Sequence, residues 1–166
     1  EKPTLAVKRL DARAKMLTKR SEDAGYDFYG IFEEDPFFLY PGDIRLVRTG
    51  LALAFPQEYV LFACERGSTG IRGLATRGGV VDSGFRGEIW IPLNNTTNAL
   101  LVFTTKDETV LSREHTDIYQ AYDEVRCFSV DHAIAQGVLV PCQHAEVREV
   151  DELDGTSLRG QRGFFE

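Results

Sequence analysis

Long apolar runs are missing from this chain of 166 residues. The stretch 51–55, Leu-Ala-Leu-Ala-Phe, is typical of those it has, whereas a bilayer-spanning helix needs about 20 consecutive apolar residues. No membrane role is therefore expected. No pattern of a secretory signal opens the sequence, and a cytoplasmic protein is expected. Cysteine is scarce: Cys64, Cys127 and Cys142 form no C-x-x-C pair, and an odd count argues against a disulfide framework. Free thiols buried in apolar runs suit a reducing compartment. The three histidines, His115, His132 and His144, lack metal-ligand spacing and read as surface or structural residues. Positive charge is in deficit, with a formal net charge of -7, which argues against broad binding to nucleic acid or to anionic membranes.

The deficit is uneven. Residues 66–87 carry four arginines (Arg66, Arg72, Arg77, Arg86) against the single acid Asp82, while 104–131 carry seven acids against three bases. A local basic patch on an acidic chain suits a small polyanion better than a duplex, although a solvated charged face is the usual reason for such clusters.

Short β-prone runs are what the chain has in abundance. Strands are expected at 5–10, 44–55, 59–64, 88–93, 100–104, 125–130, 134–142 and 146–150. In one of them Ile89, Ile91 and Leu93 alternate with Glu88 and Trp90, as on a half-buried strand. Pro-Gly and Pro-Gln turns at 41–42 and 56–57 and the glycines between 67 and 87 punctuate them. Many short strands with little helix predict one all-β domain, a sandwich, jelly roll or barrel, long enough for a full core. Helical pattern is confined to 11–19, whose mixed faces fit a loop equally well, and to 114–122. Residues 105–124 read as an acidic insertion between strands with one helical turn. The tail, 155–166, is polar and glycine-rich until Phe164-Phe165, and two aromatics there suggest docking.

The segment Gly79-Val80-Val81-Asp82-Ser83-Gly84-Phe85-Arg86-Gly87-Glu88 carries the most chemistry. It reads as a hairpin between β-prone runs at 74–75 and 88–93, with one carboxylate and one ring at an open tip. Glycine permits close backbone approach. Bared peptide groups there can read the edge of a planar base, and a ring three residues past the acid can lie under a sugar. Alone, the segment is equally an ordinary Asp-Ser-Gly turn.

Four further segments stand in order around it: Ala24-Gly25-Tyr26-Asp27-Phe28, Arg66-Gly67-Ser68-Thr69-Gly70, Ile134-Ala135-Gln136 and Arg159-Gly160-Gln161-Arg162-Gly163-Phe164. Together the five resemble the trimeric dUTP pyrophosphatase (dUTPase) family over nearly the whole chain, and the acidic insertion is similar to that of phage and prophage members. The resemblance implies a distorted jelly-roll, or β-clip, domain over 1–158, a C-terminal arm over 159–166 that closes on the active site, and a homotrimer with shared sites. It implies hydrolysis of dUTP to dUMP and pyrophosphate by water attacking the α-phosphorus, a reaction governed by positioning and charge neutralisation.

In that likeness Asp82 is the acid that takes the sugar 3′-hydroxyl and activates the water. Phe85 stands where the family usually has Tyr and packs under the deoxyribose, keeping the ring face without the phenol. Backbone groups from Gly79 to Val81 would read uracil. Arg66 and Ser68 would bind phosphate, with backbone amides beside Gly67 joining them. Gln136 would contact phosphate near the metal, and Asp27 would support the metal through water. Arg159 would grip the γ-phosphate while Phe164 stacks on the base. Mg²⁺ is the implied cofactor, held chiefly by phosphates and water.

Three departures stand out: Ala133, beside His132, occupies the place of the usual fourth-motif arginine; the spacing from second to third motif is short; and the fifth motif ends at Phe165-Glu166. Three alternatives share the fold: a dCTP deaminase, a bifunctional deaminase/dUTPase, and a non-catalytic trimeric regulatory protein that binds a protein partner through the insertion. A deaminase needs a proton-transfer group where this chain has Pro92, and Glu88 lies too early on the strand. A dead scaffold has no need of Asp82, Arg66 and Ser68 together.

Overall fold

The computed structural model describes residues 1–155, 157–160 and 163. Among these residues eleven strands and three short helices follow in order: β1 Ala6–Arg9, β2 Tyr26–Phe28, β3 Phe37–Leu39, β4 Ile44–Ala54, β5 Tyr59–Cys64, α1 Gly67–Gly70, β6 Leu74–Thr76, β7 Val80–Val81, β8 Glu88–Asn95, β9 Leu100–Thr104, α2 Glu108–Glu114, α3 Thr116–Ala121, β10 Val125–Ser129 and β11 Ala135–Pro141. They form three sheets, ordered β1-β4-β8-β6, β10-β9-β3 and β2-β11-β5-β7. All pairings are antiparallel except β10 with β9. The mostly β, single-domain expectation holds, and among the described residues no helix is long and apolar enough to cross a membrane.

Alternation fixes which face of each strand turns inward. On β8, Ile89, Ile91 and Leu93 are buried while Trp90 is exposed, as the period-2 pattern predicts. The inner faces meet in one core that includes Phe28, Leu39, Leu61, Leu93, Leu101 and Phe103. Within it the Phe103 ring stacks on Phe128 at 4.9 Å and on Phe32 at 5.2 Å. Strand β9 is buried throughout, because its other face, Leu100 and Val102, is covered by Leu111 of α2 and by Ile118 and Tyr119 of α3. An unbroken apolar run is the sequence signature of a strand covered on both faces.

Several expectations are corrected. The insertion holds two helices rather than one turn; Asp107 caps the first by accepting from the Thr109 N–H at 2.8 Å. Of the two readings open for residues 11–19, the loop is the one found: a turn closed by Ala14 N–H to Asp11 O (3.0 Å) leads into extended chain. The Asp11 carboxylate, which could have capped a helix, instead takes the Arg13 and Arg48 guanidiniums. Residues 146–150 are exposed and form no strand, since β-propensity without a sheet edge to pair with does not hold a strand.

The hairpin between 74–75 and 88–93 is also different. Strand β6 does pair with β8, but β7 leaves them and pairs with β5 in another sheet, through Leu61↔Val81 and Phe62↔Val80. The Asp82 segment is therefore a wide excursion between two sheets. The basic patch disperses as well. Arg72 lies over the Phe128 ring at 4.0 Å, Arg77 donates to Asn94 Oδ1 at 2.7 Å, and Arg86 donates to the Ser83 and Phe85 carbonyls. Of the four arginines, Arg66 alone reaches the cleft described below.

Candidate active site

The first half of the site grows from three adjacent strand ends. On β11, Gln136 pairs with Asp27 of β2 on one side and with Cys64 of β5 on the other. The chain after β5 turns at once into α1, which sets Arg66, Gly67 and Ser68 beside them. Arg66 Nε donates to Asp27 Oδ1 at 3.0 Å, and its Nη1 reaches Ser68 Oγ at 3.4 Å and Ala133 O at 3.5 Å. The carboxylate thus aims the guanidinium, and both side chains remain partly exposed. Gln136 Nε2 donates to Glu65 O at 2.9 Å. Backbone bonding in α1 begins with Gly70 N–H to Arg66 O at 2.7 Å, so the amides of Gly67 and Ser68 have no helical acceptor.

Gly25 makes the close packing of this half feasible. A Cβ there would lie 2.9 Å from Gln136 Cβ, so any side chain would push the segment before β2 off β11. That segment is pinned by Asp27 N–H to Thr18 O at 2.8 Å. The result is a cleft of about 630 Å³ lined by Thr18, Lys19, Arg20, Asp23, Asp27, Arg66, Ser68 and Gln136, among others. Among the described residues three cationic side chains and two carboxylates line it, and no aromatic ring does.

The second half lies where β7 meets β8. A pocket of about 330 Å³ is lined by Gly78, Val80, Val81, Asp82, Phe85, Glu88, Ile89 and Trp90. Asp82 is exposed, and a turn from Phe85 N–H to Asp82 O (3.1 Å) sets the ring three residues beyond it. The Phe85 ring lies over Gly87. Gly79 is the residue that lets β7 reach β5: a Cβ would sit 2.6 Å from Ala63 O, and the Ala63 N–H donates to Gly79 O at 2.7 Å. Strand β7 closes its sheet as an edge, which leaves one row of its peptide groups unpaired. Glu88 is committed to a bidentate pair with Arg48, at 2.9 and 2.8 Å.

The sequence-predicted residues therefore divide. Asp27, Arg66, Gly67, Ser68 and Gln136 converge in the first cleft; Val81, Asp82 and Phe85 line the second, whereas Gly79 lines neither and packs against Ala63; the two share no lining residue. Arg159 lines neither, and Phe164 lies outside the described residues. Sequence reasoning missed Lys19 and Arg20, because it counted cations only from Arg66 onward. The signal was a Lys-Arg pair six residues before the Gly25-Tyr26-Asp27 motif. Among the described residues no three His, Cys, Asp or Glu side chains gather as a metal cage.

Comparison with known proteins bears on this arrangement. Residues 12–109 match the family model described as dUTPase. A deoxyuridine 5'-triphosphate nucleotidohydrolase of Thermobifida fusca (strain YX) is 36% identical over 145 residues, which are 86% of this chain and 65% of that relative. The dUTPase of Staphylococcus bacteriophage 80alpha, solved with dUPNHPP, superposes with a TM-score of 0.72 at 26% identity, covering 97% of this chain and 96% of that one. A mutant dUTPase from phage phi11 of S. aureus, in which a structural Mg(II) ion is coordinated, is alike in fold, with a TM-score of 0.64 at 21% identity over 91% of this chain and 99% of that one.

Proposed function

Because the chain belongs to the dUTPase family, we propose that it hydrolyses dUTP to dUMP and pyrophosphate. One observation carries the reading: each half of the site holds what the other lacks. Among the described residues, the first cleft is lined by cations and hydrogen-bond donors but by no ring, and the second by a ring, a carboxylate and an unpaired strand edge but by no cation. A nucleoside triphosphate needs both. Cyclic association of three copies would supply them together, with the Arg66 cleft of one copy facing the Asp82 pocket of another and the arm, 159–166, of a third closing the site.

In this arrangement the unpaired edge of β7 near Gly79 and Val81 reads the uracil edge. The Phe85 face supports the deoxyribose and leaves no room for a 2′-hydroxyl. Asp82 accepts a proton from the attacking water, whose oxygen bonds to the α-phosphorus as the bond to the bridging oxygen breaks and pyrophosphate leaves. Arg66 holds non-bridging phosphate oxygens, and Ser68 and the amides of α1 donate to them. Arg159 and Phe164 belong to the closing arm.

The donor set fits Mg²⁺. Asp27 and Gln136 are too few to cage the ion yet suited to its water shell, as expected where phosphates supply the other ligands. When bound, Mg²⁺ neutralises charge on the phosphates. Deamination of dCTP is disfavoured by Pro92 and by the commitment of Glu88 to Arg48. The insertion, 105–124, offers a surface for a protein partner without entering either half of the site.

Product analysis with each deoxynucleoside triphosphate and Mg²⁺ tests the reading. Pyrophosphate and dUMP are expected from dUTP; ammonia from dCTP, or no product from dUTP, would overturn it.

A further inference from the structure

The phosphate cleft has a second cationic wall. Among the described residues Arg66 is the one cation beside Asp27, Ser68 and Gln136, and its guanidinium is partly spent on Asp27. Position 133, behind it, is a buried alanine and adds no charge. A triphosphate is longer than one guanidinium can span, so its distal end calls for cations beyond Arg66, and the arm's Arg159 need not meet that demand alone. Lys19 and Arg20 line the same cleft.

Their placement is built rather than incidental. The Thr18–Asp27 bridge fixes where this lip begins. Lys19 Nζ donates to Arg20 O at 2.9 Å, Ser21 O at 3.3 Å and Asp23 O at 2.5 Å, curling the segment around its own ammonium. No carboxylate pairs with Lys19 among the described residues, so its charge is left to the cleft. Arg20 holds Asp23 through Nε at 2.9 Å and Nη2 at 3.1 Å. That pair is open to solvent, with the Arg20 side chain 89% exposed, and exposed pairs are weak. Arg20 can therefore trade its carboxylate for a phosphate, whose oxygens match the same planar fork.

We infer that Lys19 and Arg20 form an outer phosphate subsite that grips the distal phosphates of the substrate, Arg20 by direct contact and Lys19 by shaping and charging the lip. The inference rests on the nucleotide reading above for its ligand. It makes the lip a determinant of triphosphate over monophosphate.

The test uses the full chain, with calorimetric binding of inorganic triphosphate and of dUMP beside steady-state kinetics on dUTP. Arg20→Ala trims an exposed side chain and leaves the fold intact. It is expected to weaken inorganic triphosphate binding and to raise KM for dUTP by about tenfold each, the scale of one lost charge-assisted contact. Affinity for dUMP should not change, and Arg20→Lys should recover part of the loss. Arg113→Ala, which removes an exposed cation on α2 outside the cleft, should leave all three readouts as they were. Unchanged triphosphate affinity in Arg20→Ala overturns the inference, as does an equal loss for dUMP and triphosphate. Arg20-dependent binding of inorganic triphosphate by a chain that leaves dUTP intact would uphold the subsite and sink the hydrolytic reading instead.

Discussion

Asp82 is the residue on which the proposed chemistry turns. Its carboxylate stands at the tip of an excursion held by Gly79 against β5 and by the Phe85 turn, so its position does not depend on its charge. Asp82→Asn keeps the shape and removes the base. Turnover is expected to fall by at least about 100-fold, the scale of general-base catalysis, while affinity for a non-hydrolysable dUTP analogue stays near that of the parent. Residual turnover close to the parent's would refute the role. Arg66, Ser68 and Asp82 are singled out by the ordered set of five segments and its family resemblance; either of their segments by itself reads equally as an ordinary turn. Lys19 and Arg20 escaped notice because a Lys-Arg pair in a polar loop has the same local signature whether it faces a cleft or open water.

At the scale of elements, Glu65 ties β6 to β11 beside the Arg66 cleft. Its carboxylate accepts from the Thr76 N–H at 2.9 Å at the end of β6, and its carbonyl accepts from Gln136 on β11. The backbone bond from Thr76, first among several causes, holds the Glu65 carboxyl below its usual range. A depressed folded-state pKa means stability that is present above the unfolded value, near 4.5, and is lost as pH falls through the folded value. Glu65→Gln should therefore flatten the acid limb of the unfolding midpoint below about pH 4.5. An acid limb as steep as the parent's would exclude this role. The insertion makes a separate case. Its helices are held to β9 by fully buried Leu111. Leu111→Ala should cost about 2–5 kcal/mol in denaturant unfolding and leave KM for dUTP unchanged, since α2 and α3 line neither half of the site.

For the whole molecule, the division of the site has a consequence that a self-contained site would not. Asp82→Asn and Arg66→Ala each spoil a different half. If the halves meet between copies, mixed and re-equilibrated subunits will include sites built from two undamaged halves, and the mixture will regain activity that neither variant shows alone. A mixture as inactive as its components, with subunit exchange confirmed by mass, would show that each chain works by itself.

The sequence determined by itself the elements with local periodicity: β4, β5, β8, β9, β10 and β11 carry alternating or unbroken apolar patterns long enough to read. It also determined the order of the motif residues. Tertiary structure decided what depends on distant partners. Strands β2, β3 and β7, of two or three residues, hold no period and exist because a neighbouring edge receives them. The run at 146–150 has the composition of a strand and lacks such an edge. The pairing of β7 with β5 rather than β8 sets Asp82 and Arg66 in separate pockets of one chain, and the bridge from Thr18 to Asp27 brings Lys19 and Arg20 to the cleft of Arg66. Side-chain periodicity is set by the nearest few residues, whereas pairing and close approach are set by whatever the fold places opposite them.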